Sequence, residues 1–314
     1  MKLQLKSLDF KKISKNYSLG EIKSVKLING GAVNYNYHIS TDKGDFIIRV
    51  LGENFNERKK KRMKLVFKTL EYLNNNYFPY KIPNPIKNKA NQYLSNISGN
   101  NLWVYERLDG KTNKKINLSQ TKEIARAIAT YHKFISKMKI KKQKMDNSWL
   151  IEKYAQLKEV TPKDRTDKLM LSNLQTFNKL LNDFIKYDFQ ENLLITHTDL
   201  NKANFLFNGD KVVGILDFDN IEIAPRVKDI AYGIRCFCFI NQKLNKAREK
   251  AFLNEYEKTN KISQAEKEMI IPFIDRDNCL RFWWFYSQMH KLPHKRYSYM
   301  KSVIELNKKI NIKK

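Results

Sequence analysis

Between Thr196 and Asn220 the chain reads THTDLNKANFLFNGDKVVGILDFDN, and this stretch constrains the fold more than any other. Its apolar runs, Phe205-Leu206-Phe207 and Val212 to Leu216, have the length of short strands. Asn208-Gly209-Asp210 between them carries turn chemistry, so a β-hairpin is expected here. His197, Asp199, Asn204, Asp217 and Asp219 stand at the ends of those runs. Polar groups beside buried strands are costly unless something meets them. Their partners must be other side chains, or a metal and a phosphate.

Hairpin geometry narrows that choice. The start of the first strand lies beside the end of the second, which brings Asn204 near Asp217, with Asp199 on the loop leading in. Two oxygen side chains at one end of a hairpin suit a hard cation such as Mg²⁺, which completes its shell with water and phosphate oxygens. A third carboxylate outside that shell can accept a proton from an attacking hydroxyl. A loop Asp, an Asn five positions later and a metal Asp after the next hairpin are the recurring parts of a phosphoryl-transfer site. Asp219 could serve as a second metal ligand, but it precedes Asn220, and a turn role is the expectation for it.

These residues carry a resemblance. HTDLNKANFLF…VVGILDFDN resembles the catalytic segment of the aminoglycoside phosphotransferase and choline kinase superfamily, small-molecule kinases with a bilobal, protein-kinase-like fold. The likeness extends to APRVKDIAYGIR downstream, to NGGAVNYNYHIS…GDFIIRV upstream and to AIATYHKF, so that it covers most of residues 25–240. The resemblance implies ATP and Mg²⁺ as cofactors. It makes Asp199 the catalytic base, gives Asn204 and Asp217 the metal, and has His197 and Asp229 brace the loop. Gly30, Gly31 and Asn34 would cover the phosphates, Arg49 would stand where many kinases carry a phosphate-binding Lys, and Glu106 to Leu108 would offer backbone groups to adenine. The helix glutamate that should pair with that cation has two candidates, Glu57 and Glu71, and Thr198 stands where Gly is frequent.

The rest of the pattern agrees with an α+β class. Residues 21–50 alternate as strands about the turn Thr41-Asp42-Lys43-Gly44, and NLWVYERLDG reads as another strand. Met63, Val66, Phe67, Leu70 and Leu73 recur at helical spacing within 57–76. Helices are expected at 118–138, capped by Asn117 or Ser119, at 165–187, and around 227–239, 244–259, 264–290 and 297–311. We therefore expect a β-rich nucleotide-binding lobe over residues 1–107 and a mainly helical catalytic and acceptor-binding lobe over 108–314.

Composition bounds the function. Hydrophobic residues are 42% of the 314, enough for a core, and no apolar run has membrane-spanning length. The N-terminus lacks the apolar stretch of a signal peptide, and three cysteines suggest reduced thiols in a cytoplasmic protein. The net charge of +28 invites phosphates. Lysine is spread over every segment, however, and no RNP-like, zinc-finger or helix-turn-helix pattern focuses it, so a nucleic-acid partner is not expected.

The acceptor is open. Polycationic aminoglycosides suit acidic pockets and match this basic chain poorly; homoserine, choline or ethanolamine, a sugar or a phosphorylated metabolite remain. Within RFWWFYSQMH, residues 281–290, helical spacing points to core packing. A sharper reading makes Trp283 and Tyr286 a wall for a cationic acceptor, with Asp275 and Asp277 beside them. His132, on an apolar helix face, is expected to be a satisfied core residue. The alternative function is a kinase-like fold retained as a binding or structural protein, like the spore-coat members of the superfamily. The intact Asp199, Asn204 and Asp217 argue for catalysis instead.

Overall fold

The structure is a computed structural model that describes residues 5–28, 34–52, 55–141, 143–289 and 293–311. In chain order the elements begin with α1 (Ser7–Tyr17), β1 (Ile22–Ile28), β2 (Tyr35–Thr41), β3 (Gly44–Val50), α2 (Glu57–Asn75), β4 (Ser95–Ile97) and β5 (Asn100–Glu106). Helices α3 (Leu118–Ile135), α4 (Ser148–Lys158) and α5 (Arg165–Lys186) follow. Then come β6 (Leu193–Thr196), β7 (Phe205–Asn208), β8 (Lys211–Ile215) and β9 (Glu222–Pro225). The chain closes with α6 (Val227–Phe237), α7 (Lys246–Glu257), α8 (Gln264–Gln288) and α9 (Pro293–Asn311). Two compact units result: Met1–Thr112 with Asn204–Ile221, and Asn113–Ala203 with Glu222–Lys314.

The first unit is built on an antiparallel sheet of order β1-β2-β3-β5-β4. Strand β3 is flanked on both sides, and Phe46 to Val50 are all buried. Strand alternation divides its residues between two faces. Phe46, Ile48 and Val50 join Leu102 and Val104 in one core with Phe10, Ile13 and Tyr17 of α1. Arg49 therefore belongs to the opposite face, in register with Trp103, whose ring meets Phe67 of α2 edge-on at 5.6 Å. The β7–β8 hairpin packs into this unit through the segment around Lys81: the Lys81 amide donates to Val213 and its carbonyl accepts from Ile215. That close approach requires Gly214, where a Cβ would meet the Lys81 carbonyl at 2.9 Å.

The second unit is mainly helical, with the short β6–β9 ladder and a two-residue pairing of Phe239–Ile240 with Lys243–Leu244. Its core joins Leu150, Tyr154 and Leu157 of α4, Met170, Leu174, Phe177 and Leu181 of α5, Cys279 and Phe282 of α8, and Met300 and Val303 of α9. Phe177 and Phe282 stack with centroids 4.2 Å apart. Asn117 caps α3 as expected, its side chain accepting from Gln120 N while Gln120 returns a bond to Asn117 N. Helices α1 and α4 were not anticipated from the sequence. Each buries a stripe at helical spacing, Phe10, Ile13 and Tyr17 in one, Leu150, Tyr154 and Leu157 in the other, between charged or polar neighbours.

Candidate active site

In the first unit the site groups gather around Arg49. Its Nε donates to Asp219 Oδ2 at 2.8 Å and its Nη2 to Asp217 Oδ1 at 2.5 Å. The side chains of Arg49 and Asp219 are 8% and 7% exposed, so this is a buried pair, while Asp217 is 29% exposed. Burial works against the guanidinium charge, but Asp219 and then Asp217 outweigh it and hold Arg49 protonated beyond the ordinary arginine range. Lys59 and Arg62, half-buried on α2, also feel the Asp219 carboxylate. Asp219 does lie in a turn, the 3-10 segment Phe218–Asn220, and its carboxylate is in addition committed to Arg49 and to Asn34, which donates at 2.6 Å.

The hairpin places the metal candidates as its register requires. The Leu216 amide donates to the Asn204 carbonyl at 2.8 Å, which sets Asn204 at the hairpin end that Asp217 leaves. Asp217 itself has φ 63°, a left-handed conformation uncommon outside Gly, Asn and Asp and characteristic of functional turns. Among the described residues no three His, Cys, Asp or Glu gather as a protein-only metal cage. A cation here would take few protein ligands and rely on phosphate and water, the habit of Mg²⁺. Asp219 Oδ1, buried and without a hydrogen-bond partner, adds a carboxylate oxygen to the set. The oxygen donors of Asn204, Asp217 and Asp219 are of the kind that a hard cation takes.

In the second unit the focus is Asp199. Its Oδ1 accepts from the Tyr232 hydroxyl at 2.7 Å and from Asn201 Nδ2 at 2.8 Å. The loop before it is tied down by the wholly buried Asp229 of α6, which accepts from the His197 amide at 2.7 Å and the Thr198 amide at 2.8 Å. His132 Nε2 reaches the same carboxylate at 3.1 Å, and its Nδ1 meets the Tyr256 hydroxyl at 2.7 Å. His132 is therefore a satisfied core histidine. Burial would raise the Asp229 carboxyl, but the His132 hydrogen bond and the neighbouring histidine charges keep it below the usual carboxylate value. Thr198 adopts φ 66°, the left-handed region that favours Gly.

The remaining candidates divide. Gly30 and Gly31 lie outside the described residues. Asn34 spends both ends of its amide, on Asp219 and on the Gly52 N–H at 3.0 Å. Neither Glu57 nor Glu71 partners Arg49: Glu57 is exposed and pairs with Lys60, and Glu71 accepts from the Tyr93 hydroxyl. The Arg107 amide donates to the Asp45 carbonyl at 2.9 Å, so by alternation Glu106 turns its backbone groups away from β3, and Leu108 lies just beyond the strand end.

The cationic-acceptor wall is corrected. Tyr286 is buried, donates to Asp167 at 2.8 Å and lies under the Arg296 guanidinium; Trp283 is half-buried against the helical core, edge-on to Trp149. Asp277 is bound by two arginines, and Asp275 is buried. The buried Tyr286 ring, already covered by Arg296, leaves no room for an ammonium group. Sequence reasoning also passed over Tyr232, Arg235 and Arg281, although two spacings were legible. Asp229 and Tyr232 share a helix face at i, i+3, and Asp277 and Arg281 pair at i, i+4.

Comparison with known proteins follows the same lines. The model of the phosphotransferase enzyme family matches residues 24–261. A homoserine kinase of Bradyrhizobium diazoefficiens is 26% identical over 270 residues, covering 85% of this chain and 79% of its own. One from Neisseria meningitidis serogroup B is 24% identical over 269 residues, 85% and 84% of the two chains. Among solved structures, an amicoumacin kinase in complex with AMP-PNP and Ca²⁺ aligns over 98% of this chain and 94% of its own, at 15% identity and TM-score 0.72. A microcompartment-associated aminopropanol kinase aligns over 95% of both chains, at 14% identity and TM-score 0.70. The structural likeness establishes the α+β, protein-kinase-like fold expected from the sequence. With three quarters of its length matched by the family model, the chain belongs to the phosphotransferase enzyme family and is a kinase of small-molecule hydroxyl groups.

Proposed function

We propose that the protein is a Mg²⁺-dependent kinase that transfers the γ-phosphoryl group of ATP to the hydroxyl of a short amine-bearing acceptor, homoserine or an amino alcohol. The observation that carries this reading is Asp199, half-buried on a loop whose preceding amides are locked by Asp229 and whose carboxylate is aimed by Tyr232 and Asn201. A carboxylate fixed at both backbone and side chain, yet not sealed from solvent, is suited to orient a hydroxyl and take its proton. The new bond joins the acceptor oxygen to the γ-phosphorus, the bond to the β-phosphate oxygen breaks, and ADP leaves.

In this reading Asn204 and Asp217 hold Mg²⁺, which when bound offsets the charge of the phosphates. Arg49 keeps Asp217 in place and adds its own charge. Asn34, through Asp219, steadies the same group, and Gly30 and Gly31 line the phosphates. Glu106, whose backbone groups turn away from β3, and Leu108 just beyond the strand end present backbone groups to the adenine ring. His197 supports the loop through the bond from the Asp199 amide to its Nδ1 at 3.3 Å. The homoserine and aminopropanol kinases among the relatives are the reason for the acceptor class. The same relatives leave the structural-scaffold alternative without support.

ADP release from Mg²⁺-ATP, measured with homoserine, short amino alcohols, choline, sugars and aminoglycosides, tests the proposal. Turnover with a short amine-bearing acceptor, reduced by about 10²–10⁴ in Asp199→Asn, is the expected result. Turnover that survives Asp199→Asn unchanged would remove the assigned base. Failure of every acceptor, together with no Mg²⁺-ATP binding, would remove the kinase.

A further inference from the structure

Beside Asp199 lies a cluster of arginines that the catalytic assignment does not use. The Tyr232 hydroxyl that donates to Asp199 also accepts from Arg281 Nη2 at 2.5 Å, and the Arg281 guanidinium lies 5.0 Å from the Tyr232 ring centre. Arg281 Nε binds Asp277 Oδ2 at 2.7 Å, and the same oxygen is 3.2 Å from Arg235 Nε. Arg235 Nε in addition donates to Asn278 Oδ1 at 2.9 Å. Two guanidinium groups thus share one carboxylate. Their side chains are only 12% and 23% exposed for Arg235 and Arg281, so water does not fully solvate them. Burial, together with the charge of Arg281, presses the Arg235 pKa below its ordinary value.

The donors of this cluster are only partly spent. Among the described residues no hydrogen bond is made by either Nη of Arg235 or by Nη1 of Arg281. The Asn278 side chain is wholly buried and its Nδ2 has no partner. A planar guanidinium with both terminal nitrogens available is the group best matched to a carboxylate. A half-buried guanidinium with donors still unspent gains from an anion that can accept from them.

We infer that Arg235 and Arg281 receive a carboxylate of the acceptor, so that the acceptor is a hydroxy amino acid and not an amino alcohol. This rests on the kinase reading and selects within it. Arg281 Nη2 is two hydrogen bonds, through the Tyr232 hydroxyl, from the carboxylate that meets the reacting hydroxyl. A span of that length suits a short chain with a hydroxyl at one end and a carboxylate at the other. Tyr232 ties the two ends of the acceptor site together, which makes it a positioning residue.

L-Homoserine and 3-amino-1-propanol differ only by the carboxylate, so this pair isolates the contact. The expected result is that wild type prefers homoserine by at least about 10³-fold in kcat/KM. Arg235→Gln should lose about 100-fold on homoserine, mainly through KM, while changing the amino alcohol by less than about threefold; Arg281→Gln should lose at least as much on homoserine. Since Arg281 also holds Asp277 and Tyr232, Arg281→Lys provides a variant that keeps the charge; it should recover stability but not the bidentate grip, with KM still raised. Equal use of the two acceptors by wild type, which needs no variant to fold, overturns the inference and leaves the kinase standing. An equal loss on both acceptors in Arg235→Gln also overturns it. If neither compound nor any other acceptor supports ADP release, the kinase reading and the inference fall together.

Discussion

Arg49 on β3 takes its buried partner from the turn after β8, pairing Nε to Asp219 Oδ2 at 2.8 Å, and not from a glutamate on α2. Helix α2 instead presents Lys59 and Arg62 toward the same carboxylate, and its Glu57 is spent on Lys60 at the surface. The ion pair that orders the first unit therefore closes between the sheet and the hairpin. Asp219→Asn would leave a buried guanidinium with one carboxylate in place of two. It should cost about 3 kcal/mol in stability, whereas Glu57→Gln and Glu71→Gln should leave the urea midpoint unchanged. A loss in Glu71→Gln as large as that in Asp219→Asn would reassign the partner.

Acid should act through Asp229. Its carboxyl titrates below the usual value in the folded protein, because His132 and the His197 amide favour the charged form against the cost of burial. The folded state then binds this proton less readily than the unfolded chain. The stabilisation is complete above the unfolded pKa of about 4 and is lost as pH falls through the lower folded value. Asp229→Asn should cost about 2 kcal/mol at pH 7, and the gap to wild type should narrow below pH 4. Urea unfolding at both pH values checks this; a gap of constant size would mean that the carboxylate charge is not what holds the loop.

The strain at Thr198 is open to direct relief. A β-branched residue at φ 66° carries a penalty of roughly 1–2 kcal/mol that glycine does not, and the hydrogen bond to Asp229 uses only the backbone amide. Thr198→Gly should keep that bond and raise the thermal midpoint, by less than the full strain because glycine also loosens the unfolded chain. A lower midpoint would show that the threonine side chain contributes more than its backbone costs.

Much of this protein was legible in local pattern. The NGD turn between Phe207 and Lys211, the stripe of Met63 to Leu73, and the Asn117 cap are short-range signals, and each appears where its chemistry requires. Helix α1 was legible too, its Phe10, Ile13, Tyr17 stripe standing at helical spacing among Lys11, Lys12 and Lys15, but only eleven residues carry it and it was passed over. The aromatic run near Trp283 could be read as core or as pocket. Only the facing residues, Trp149, Asp167 and Arg296, decided for core in the cases of Trp283 and Tyr286.

The sequence by itself determined the β7–β8 hairpin, strands such as β2, β3 and β5, and helices such as α2, α3 and α5, because these rest on periodicity and turn chemistry along the chain. Tertiary structure alone decided that Arg49 meets Asp219 across 170 residues, and that Arg281 reaches Tyr232 across 49. A charge in a sequence does not name its partner. Burial does, by making every guanidinium and carboxylate it encloses costly until a counter-charge or a hydrogen bond is found.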